Sequence, residues 1–196
     1  MKTLNEVFDR IVLINLDHRT DRLEAFDKQA RALGIEYIRF PAITPDMLNS
    51  NPTDACKQSH ISVLHNAVKD GVGNLLVFED DATFVDNFLE EFNQVYSQLP
   101  EDWDMFYLGA WHLKSNGYSD KLIKMIESYS AHAYGIRAKY LQQALSETLG
   151  AYPIDIALAQ KHQFIQAYCA KPALVFQSPG YSDITKEYRN VTDKYL

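Results

Sequence analysis

The amino-acid sequence predicts an α/β protein with a mostly parallel sheet flanked by helices. Two observations carry this prediction. Short apolar runs alternate with amphipathic helical stretches along the chain, and one run, residues 75–78, leads directly into three acidic residues. Ligands of parallel sheets bind beyond the carboxyl ends of the strands, so this acidic cluster is a candidate site. The 196 residues are enough for one such domain, and we expect a single domain over residues 1–196.

The N-terminal half alternates strands and helices. Residues 11–16 form an unbroken apolar run, typical of a strand covered on both faces, and Asp17 follows as a candidate helix cap. Apolar residues at spacings of three and four predict a helix over residues 19–33 that ends at Gly34. The elements expected next are a strand, a loop, a helix that opens at Ser59 and a buried strand, over residues 35–40, 41–52, 59–70 and 74–78.

The C-terminal half continues the alternation less regularly. Residues 111–128 are compatible with either a hairpin or a loop around Asn116 and Gly117. Spacing predicts helices over residues 84–99, 139–149 and 154–161. Short strands are expected over residues 104–108, 129–136, 165–170 and 173–176.

Composition and charge exclude several classes of protein. The chain carries 26 acidic and 19 basic residues, a net charge of −7, without the basic stripe of a nucleic-acid-binding protein. No apolar run approaches the roughly 18 residues of a membrane-spanning helix, and the N-terminus lacks a secretory pattern. Two cysteines without a CxxC motif do not predict a disulfide framework. We expect a cytoplasmic protein with no nucleic-acid partner and no transmembrane segment. Its composition is compatible with peripheral contact with a membrane.

The acidic triplet Glu79, Asp80 and Asp81 follows the predicted buried strand. Alternation of strand side chains predicts that Glu79 and Asp81 point to one side and Asp80 to the other. Two converging carboxylates repel each other unless a cation lies between them, and oxygen ligands favour hard ions such as magnesium or manganese. The alternative is a solvated strand end whose acids cap the following helix. In an acidic protein, such a cation would also provide the contact to a phosphorylated ligand.

Several motifs resemble glycosyltransferase family 25, the lipopolysaccharide and collagen sugar-transferase family, whose members have the Rossmann-type GT-A fold. Five segments carry the resemblance in the family's order: Asn-Leu-Asp-x-Arg-x-x-Arg at 15–22, Cys-x-x-Ser-His at 56–60, Val-Phe-Glu-Asp-Asp at 77–81, Pro-Ile-Asp at 153–155 and Ser-Asp-Ile at 182–184. Two positions depart from the family's pattern, Ala55 in place of a common Gly and Arg137 in place of a common Ser. The chain is also shorter than typical members.

The resemblance implies a metal-dependent, inverting glycosyltransferase. It implies transfer of a hexose, galactose or glucose, from a UDP-sugar to a saccharide of the lipopolysaccharide type or to a hydroxylated acceptor. Manganese, or magnesium, would be held by Glu79 and Asp81 beside the donor diphosphate. Two alternatives stay open: a non-catalytic relative that binds nucleotide or sugar, and a metal-dependent hydrolase or phosphotransferase.

The resemblance also implies roles for residues outside this metal pair. Asp155 is the expected general base or acceptor contact, with a helix N-cap as its structural alternative, and Asp183 is the alternative base. The residues expected to contact the donor are Asn15, Leu16, Arg19, Arg22, Lys57, Ser59, His60 and Asp80.

Each group of these donor residues has a structural alternative. The two arginines could instead be ion-paired with Asp17 or Asp21. Lys57, Ser59 and His60 are expected where a loop becomes a helix, so Ser59 could simply be an N-cap and His60 a buried structural residue. Cys56, His60 and His65 have the residue types of a zinc site, but no fourth ligand occurs at a suitable spacing.

Overall fold

The computed structural model describes residues 1–195. Within this region, helices and strands largely alternate up to about residue 107, and several strands follow one another after it. The elements, in chain order, are α1 (Leu4–Val7), β1 (Arg10–Asn15), α2 (Thr20–Leu33), β2 (Ile38–Pro41), α3 (Pro45–Leu48), α4 (Pro52–Lys69), β3 (Asn74–Glu79), β4 (Ala82–Phe84), α5 (Phe88–Tyr96), β5 (Met105–Tyr107), β6 (Trp111–Gly117), β7 (Leu122–Tyr129), β8 (Ala133–Arg137), α6 (Ala138–Glu147), α7 (Ile154–Ala159), β9 (Ala167–Ala170), β10 (Val175–Gln177), β11 (Gly180–Tyr181) and β12 (Tyr188–Arg189), with 3-10 turns at His162–Phe164 and Thr192–Lys194.

The central sheet has eight strands in the order β2-β1-β3-β8-β5-β9-β7-β6. Strand β1 is parallel to β2 and β3, and β5 is parallel to β9. Strand β8 lies antiparallel between β3 and β5, and β7 is antiparallel to β9 and β6. Six of the eight strands therefore run in one direction and two, β7 and β8, in the other. The predicted α/β architecture with a mostly parallel sheet is confirmed.

Two apolar clusters cover the two faces of this sheet. Consecutive residues of β1 alternate between them: Leu13 belongs to the cluster that contains Phe26 of α2, and Ile14 to the cluster that contains Leu64 of α4. The uninterrupted apolar run of β1 is thus explained by burial on both sides. Burial of a side chain the size of Leu or Phe contributes about 1.5–3 kcal/mol, so these clusters provide the main driving force for the fold.

Helix α2 agrees with the prediction, because it ends at Gly34, whose φ of +65° is the left-handed conformation that glycine adopts without strain. The predicted cap at Asp17 is wrong. The N-cap position is Arg19, and Asp17 accepts a hydrogen bond from Arg39 at 2.5 Å instead.

The prediction that a helix opens at Ser59 is also wrong. Helix α4 begins at Pro52, after Asn51, whose side-chain oxygen accepts a hydrogen bond from the Asp54 amide. Asn at the N-cap and Pro in the first turn are strong start signals for a helix, although the same two residue types also favour loops. Ser59 therefore lies inside the helix and is buried.

The hairpin alternative for residues 111–128 is correct, since β6 and β7 pair antiparallel at the edge of the sheet. Beyond it, β10 pairs with β4, directly after the acidic triplet, and β11 pairs with β12. The C-terminal segment therefore packs beside the end of β3. In the described part of the chain, we find no helix with the length and apolar character needed to cross a bilayer.

Candidate functional site

A cavity of about 530 Å³ lies at the carboxyl ends of β1 and β3. Its walls come from the residues after β1 and β2, from α3 and α4, from the turn after β3, and from the segment between Gln177 and Arg189. Its volume is in the range typical of small-molecule sites, and its position is the one at which α/β sheets bind their ligands.

The acidic triplet reaches this cavity from the end of β3. The strand ends at Glu79, and Asp80 and Asp81 form the turn into β4. All three residues line the cavity. The predicted separation of Asp80 from its two neighbours is therefore wrong, because the strand geometry that alternates side chains stops at Glu79.

Glu79 is held by helix α4. Its Oε1 atom lies 3.0 Å from His60 Nε2 and 3.9 Å from Cys56 Sγ. Burial raises the pKa of Glu79, but the hydrogen bond and charge of His60 outweigh it and leave the pKa below its ordinary value. Glu79 is therefore a carboxylate at neutral pH.

Asp80 connects three elements of the site. Its carboxylate accepts hydrogen bonds from Asn15 Nδ2 at the end of β1 and from Arg22 Nη1 in α2, each at 2.8 Å. Arg22 also donates to the Tyr181 carbonyl at 2.9 Å. The expected donor contacts Asn15, Arg22 and Asp80 thus form one hydrogen-bonded group, in which Arg22 and Asp80 line the cavity.

Asp81 has the least satisfied carboxylate of the triplet. Its Oδ2 atom accepts a long hydrogen bond of 3.4 Å from Gln177, and Arg22 Nη1 lies 3.5 Å away. Its buried Oδ1 atom has no hydrogen-bond partner within residues 1–195. Burial, followed by the charge of Glu79, raises the pKa of Asp81 to about 7.

A buried carboxylate oxygen without a partner costs free energy, and so does the proximity of a second carboxylate. A divalent cation relieves both costs because it accepts oxygen ligands and neutralises the charge. Glu79 and Asp81 therefore fit the hard cation that the sequence led us to expect.

Arg19 and Asp183 form an ion pair at the rim. Arg19 Nη1 donates to Asp183 at 2.5 Å, while its other nitrogens donate to Asp21 at 2.9 Å, in agreement with the structural alternative for Arg19. Burial raises the pKa of Asp183, but the hydrogen bond and charge of Arg19 bring it below its ordinary value. Asp183 lines the cavity, whereas Arg19 lies behind it.

The motif of Lys57, Ser59 and His60 lies inside α4 and is only partly brought to the cavity. His60 and Ser59 line it, with Ser59 Oγ donating to Ala55 and accepting from the Ile43 amide, each at 2.9 Å. Lys57 points elsewhere, because its ammonium donates to the Gly150 carbonyl in the loop after α6. The expectation that these three residues lie where a loop becomes a helix is wrong, since α4 begins at Pro52.

Leu16 lines the cavity, but Asp155 does not. Asp155 lies in the first turn of α7, where its Oδ1 accepts a hydrogen bond from the Ile156 amide at 2.9 Å. Pro153 is the N-cap of this helix, so the interpretation of Asp155 as an N-cap is wrong. Burial raises the pKa of Asp155, and the charge of Glu79 adds to the effect.

Sequence reasoning missed the cavity residues Gln177, Lys186 and Arg189. Gln177 contacts Asp81 only because β10 pairs with β4, a long-range contact that no local pattern predicts. The Ser-Asp-Ile motif at 182–184 was the available signal, because Lys186 and Arg189 follow it closely in the chain and line the same cavity. They add to the positive charge of Arg22 in a cavity that is lined by five acidic residues, Asp46, Glu79, Asp80, Asp81 and Asp183.

Comparison with known proteins gives a consistent match. The family model described as "Glycosyltransferase family 25 (LPS biosynthesis protein)" matches residues 50–174. A "Glycosyltransferase 25 family member" of Drosophila melanogaster is 26% identical over 178 residues, which cover 75% of this chain and 28% of that protein. The "Probable inactive glycosyltransferase 25 family member 3" of Bos taurus is 26% identical over 129 residues, which cover 52% of this chain and 22% of that protein. The chain spans about a quarter of the length of these relatives.

Among solved structures, the chain is similar to A197 from STIV, with a TM-score of 0.51 and 15% sequence identity. The similarity covers 82% of this chain and 81% of A197. At this identity, the comparison concerns the fold alone.

Proposed function

Because the chain belongs to glycosyltransferase family 25, we propose that it is a metal-dependent, inverting transferase of a hexose, galactose or glucose, from a UDP-sugar. The proposed acceptor is a hydroxyl of a lipopolysaccharide-type saccharide or of a hydroxylated side chain, and residues 1–196 would act as one domain. The supporting observation is the placement of Glu79 and Asp81 in one cavity, with a carboxylate oxygen of Asp81 buried and without a partner in the described region.

Glu79 and Asp81 would hold manganese or magnesium. When bound, such a cation supplies Lewis-acid stabilisation of the negative charge that grows on the leaving diphosphate. The chain adds its own positive charge from Arg22, which contacts Asp80 and Asp81, and from Lys186 and Arg189 in the C-terminal wall of the cavity. These groups would orient the donor and support the leaving diphosphate.

Inversion at the sugar requires a single displacement, with a general base that takes the proton from the acceptor hydroxyl. Asp183 is the weaker candidate, since its ion pair with Arg19 lowers its pKa and occupies one of its oxygens. We propose Asp155 as the base, because its raised pKa favours proton uptake. As Asp155 is outside the cavity lining, this role requires the acceptor to extend from the cavity towards α7.

Replacing Asp155 with asparagine should lower kcat by roughly 10²–10⁴-fold, the usual contribution of a general base. Donor binding should not change, because Asp155 has no place in the proposed nucleotide contacts. Turnover of UDP-hexose and the melting shift caused by UDP and manganese would both be measured. Asp120→Asn, at an exposed position, is the matched control. An Asp155→Asn enzyme with normal kcat, or with a lost melting shift, would contradict the assignment.

A panel of UDP-, GDP- and CMP-sugars, each with manganese, tests the donor. We expect only the UDP-sugars to raise the melting temperature, and EDTA to remove the effect. A ligand at 100 times its Kd stabilises by about 2.7 kcal/mol, which corresponds to roughly 5–10 °C for a chain of this size. A metal-dependent hydrolase or phosphotransferase would show a melting shift whichever nucleobase the sugar nucleotide carries. The donor assignment would be overturned if none of these nucleotides shifted the melting temperature.

A second candidate function is a non-catalytic protein that binds nucleotide or sugar. The bovine relative is named as probably inactive, and in this chain two acids of the site, Asp80 and Asp183, are engaged by arginines. Slow hydrolysis of a UDP-sugar by the wild-type protein separates the two candidates. Hydrolysis that disappears in an Asp81→Ala variant would exclude the non-catalytic one.

A further inference from the structure

A second set of metal-ligating atoms lies beside the acidic triplet. Cys56, His60 and Glu79 each offer one ligand atom, and these atoms all lie within 4.8 Å of one another. His60 Nε2 is 3.0 Å and Cys56 Sγ is 3.9 Å from Glu79 Oε1. The sequence had suggested His65 as a third ligand, but His65 is exposed and is not part of this group.

Helix α4 and Tyr134 hold two of these ligand atoms in place. Cys56 and His60 are four residues apart in α4, so their side chains lie on the same face of the helix, and both line the cavity. Tyr134 Oη lies 2.9 Å from Nδ1 of the fully buried His60 and thereby sets the orientation of the ring. A hydrogen bond at one imidazole nitrogen is the usual way in which proteins aim the other nitrogen at a metal.

We propose that Cys56, His60 and Glu79 form a site for a thiophilic divalent cation, with Zn²⁺ as the type case. The site overlaps the hard-cation pair of Glu79 and Asp81, because Glu79 belongs to both, but its other ligands are Cys56 and His60. A thiolate, an imidazole and one carboxylate are ligands that zinc accepts, whereas manganese and magnesium prefer oxygen. Tetrahedral zinc with bonds of about 2.0–2.3 Å places its ligands roughly 3.2–3.8 Å apart, close to the two distances above.

The three protein ligands leave the fourth tetrahedral position for a water molecule from the cavity, as in open zinc sites. The surroundings favour a cation, because Asp80 and Asp81 line the same cavity. Burial, then the charge of Glu79, raises the pKa of the Cys56 thiol well above its ordinary value, so the thiol keeps its proton in the metal-free protein. Zinc binding replaces the thiol proton by a sulfur–metal bond and displaces the proton between His60 Nε2 and Glu79 Oε1, and both protons pass to solvent.

The shared carboxylate has a functional consequence, which rests on the proposed function. Zinc at this site occupies Glu79 and withdraws it from the manganese pair. Zinc is therefore expected to inhibit the transferase in competition with manganese.

Titration of the whole, metal-free chain with Co²⁺ tests the site directly. We expect one Co²⁺ per chain, with the near-ultraviolet charge-transfer band of a thiolate–cobalt bond, and displacement of the cobalt by Zn²⁺. Cys56→Ser should abolish the band. Cys169→Ala is the matched control, since Cys169 is fully buried in β9 and outside the ligand group.

Asp81→Asn separates this proposal from the proposed function. That variant should keep the cobalt spectrum while it loses the melting shift caused by UDP and manganese. If Cys56→Ser does not fold, zinc X-ray absorption of the wild-type protein decides the question, with one sulfur neighbour per zinc expected. Absence of the band from the wild-type protein, its persistence in Cys56→Ser, or a bound zinc without a sulfur neighbour would overturn the proposal.

Discussion

Replacing Asp81 with asparagine should lower the metal-dependent turnover of UDP-hexose by roughly 10²–10³-fold or more, the scale expected when an electrostatic stabiliser of the transition state is removed. The amide keeps the size of the side chain but removes the charge that a hard cation requires. The melting shift with UDP and manganese should disappear with the activity. Asp86→Asn, at an exposed position after β4, is the matched control and should behave as wild type.

The same Asp81→Asn variant should be more stable than the wild-type protein when no ligand is present. The pKa of Asp81 is about 7 in the folded protein, against an ordinary value of 3.8. Between these pH values the folded state binds the proton more tightly than the unfolded state, so wild-type stability falls as the pH rises. Asparagine cannot titrate and avoids this loss.

Melting curves of the metal-free proteins check this effect. The variant should melt higher than the wild-type protein at pH 8, and the difference should vanish below pH 3.8, where Asp81 is protonated in both states. A variant that melts lower at pH 8, or that retains the response to manganese and UDP, would contradict the proposed role of Asp81. The two results together would show a residue that improves function at the expense of stability.

Replacing Gly109 with alanine should destabilise the protein by about 3 kcal/mol or more, the upper end of the usual cost of overpacking. An added Cβ would lie 2.0 Å from the Val175 carbonyl oxygen. The backbone there cannot easily withdraw, because the amides of Leu174 and Val175 both donate to the Leu108 carbonyl, at 2.7 and 3.2 Å. The melting temperature should fall by roughly 6–12 °C.

Activity should fall with stability in this variant, since β10 also carries Gln177, which donates to Asp81. Gly117→Ala is the matched control, because no atom lies within 4 Å of the added Cβ at that position. Its free energy of unfolding should stay within about 0.5 kcal/mol of wild type. Equal melting temperatures for the two alanine variants would show that the contact between Gly109 and Val175 is not tight in solution.

Local patterns predicted those parts of the fold that local physics determines. The apolar run of β1 and the periodicity of α2 follow from burial on two faces and on one face, respectively. The left-handed cap at Gly34 follows from the freedom of glycine. The start of α4 was misplaced because Asn51 and Pro52 are compatible both with a loop and with the first turn of a helix. Only packing of the helix on the sheet decides between the two.

The lining of the cavity was predictable where residues lie at or just after the end of a strand, as Glu79 and Asp81 do. It was not predictable where two distant segments have to meet. The contact of Gln177 with Asp81 depends on the pairing of β10 with β4, and the engagement of Lys57 by Gly150 depends on the packing of α4 beside the loop after α6. The position of the Asp80 side chain could not be predicted from strand periodicity, because the chain turns after Glu79.

The ion pair between Arg19 and Asp183 joins residues that are 164 positions apart in the chain. During synthesis on the ribosome, the arginine emerges long before its partner exists. The nascent polypeptide can therefore build much of its sheet early, but it completes the cavity only after residue 183 has left the exit tunnel.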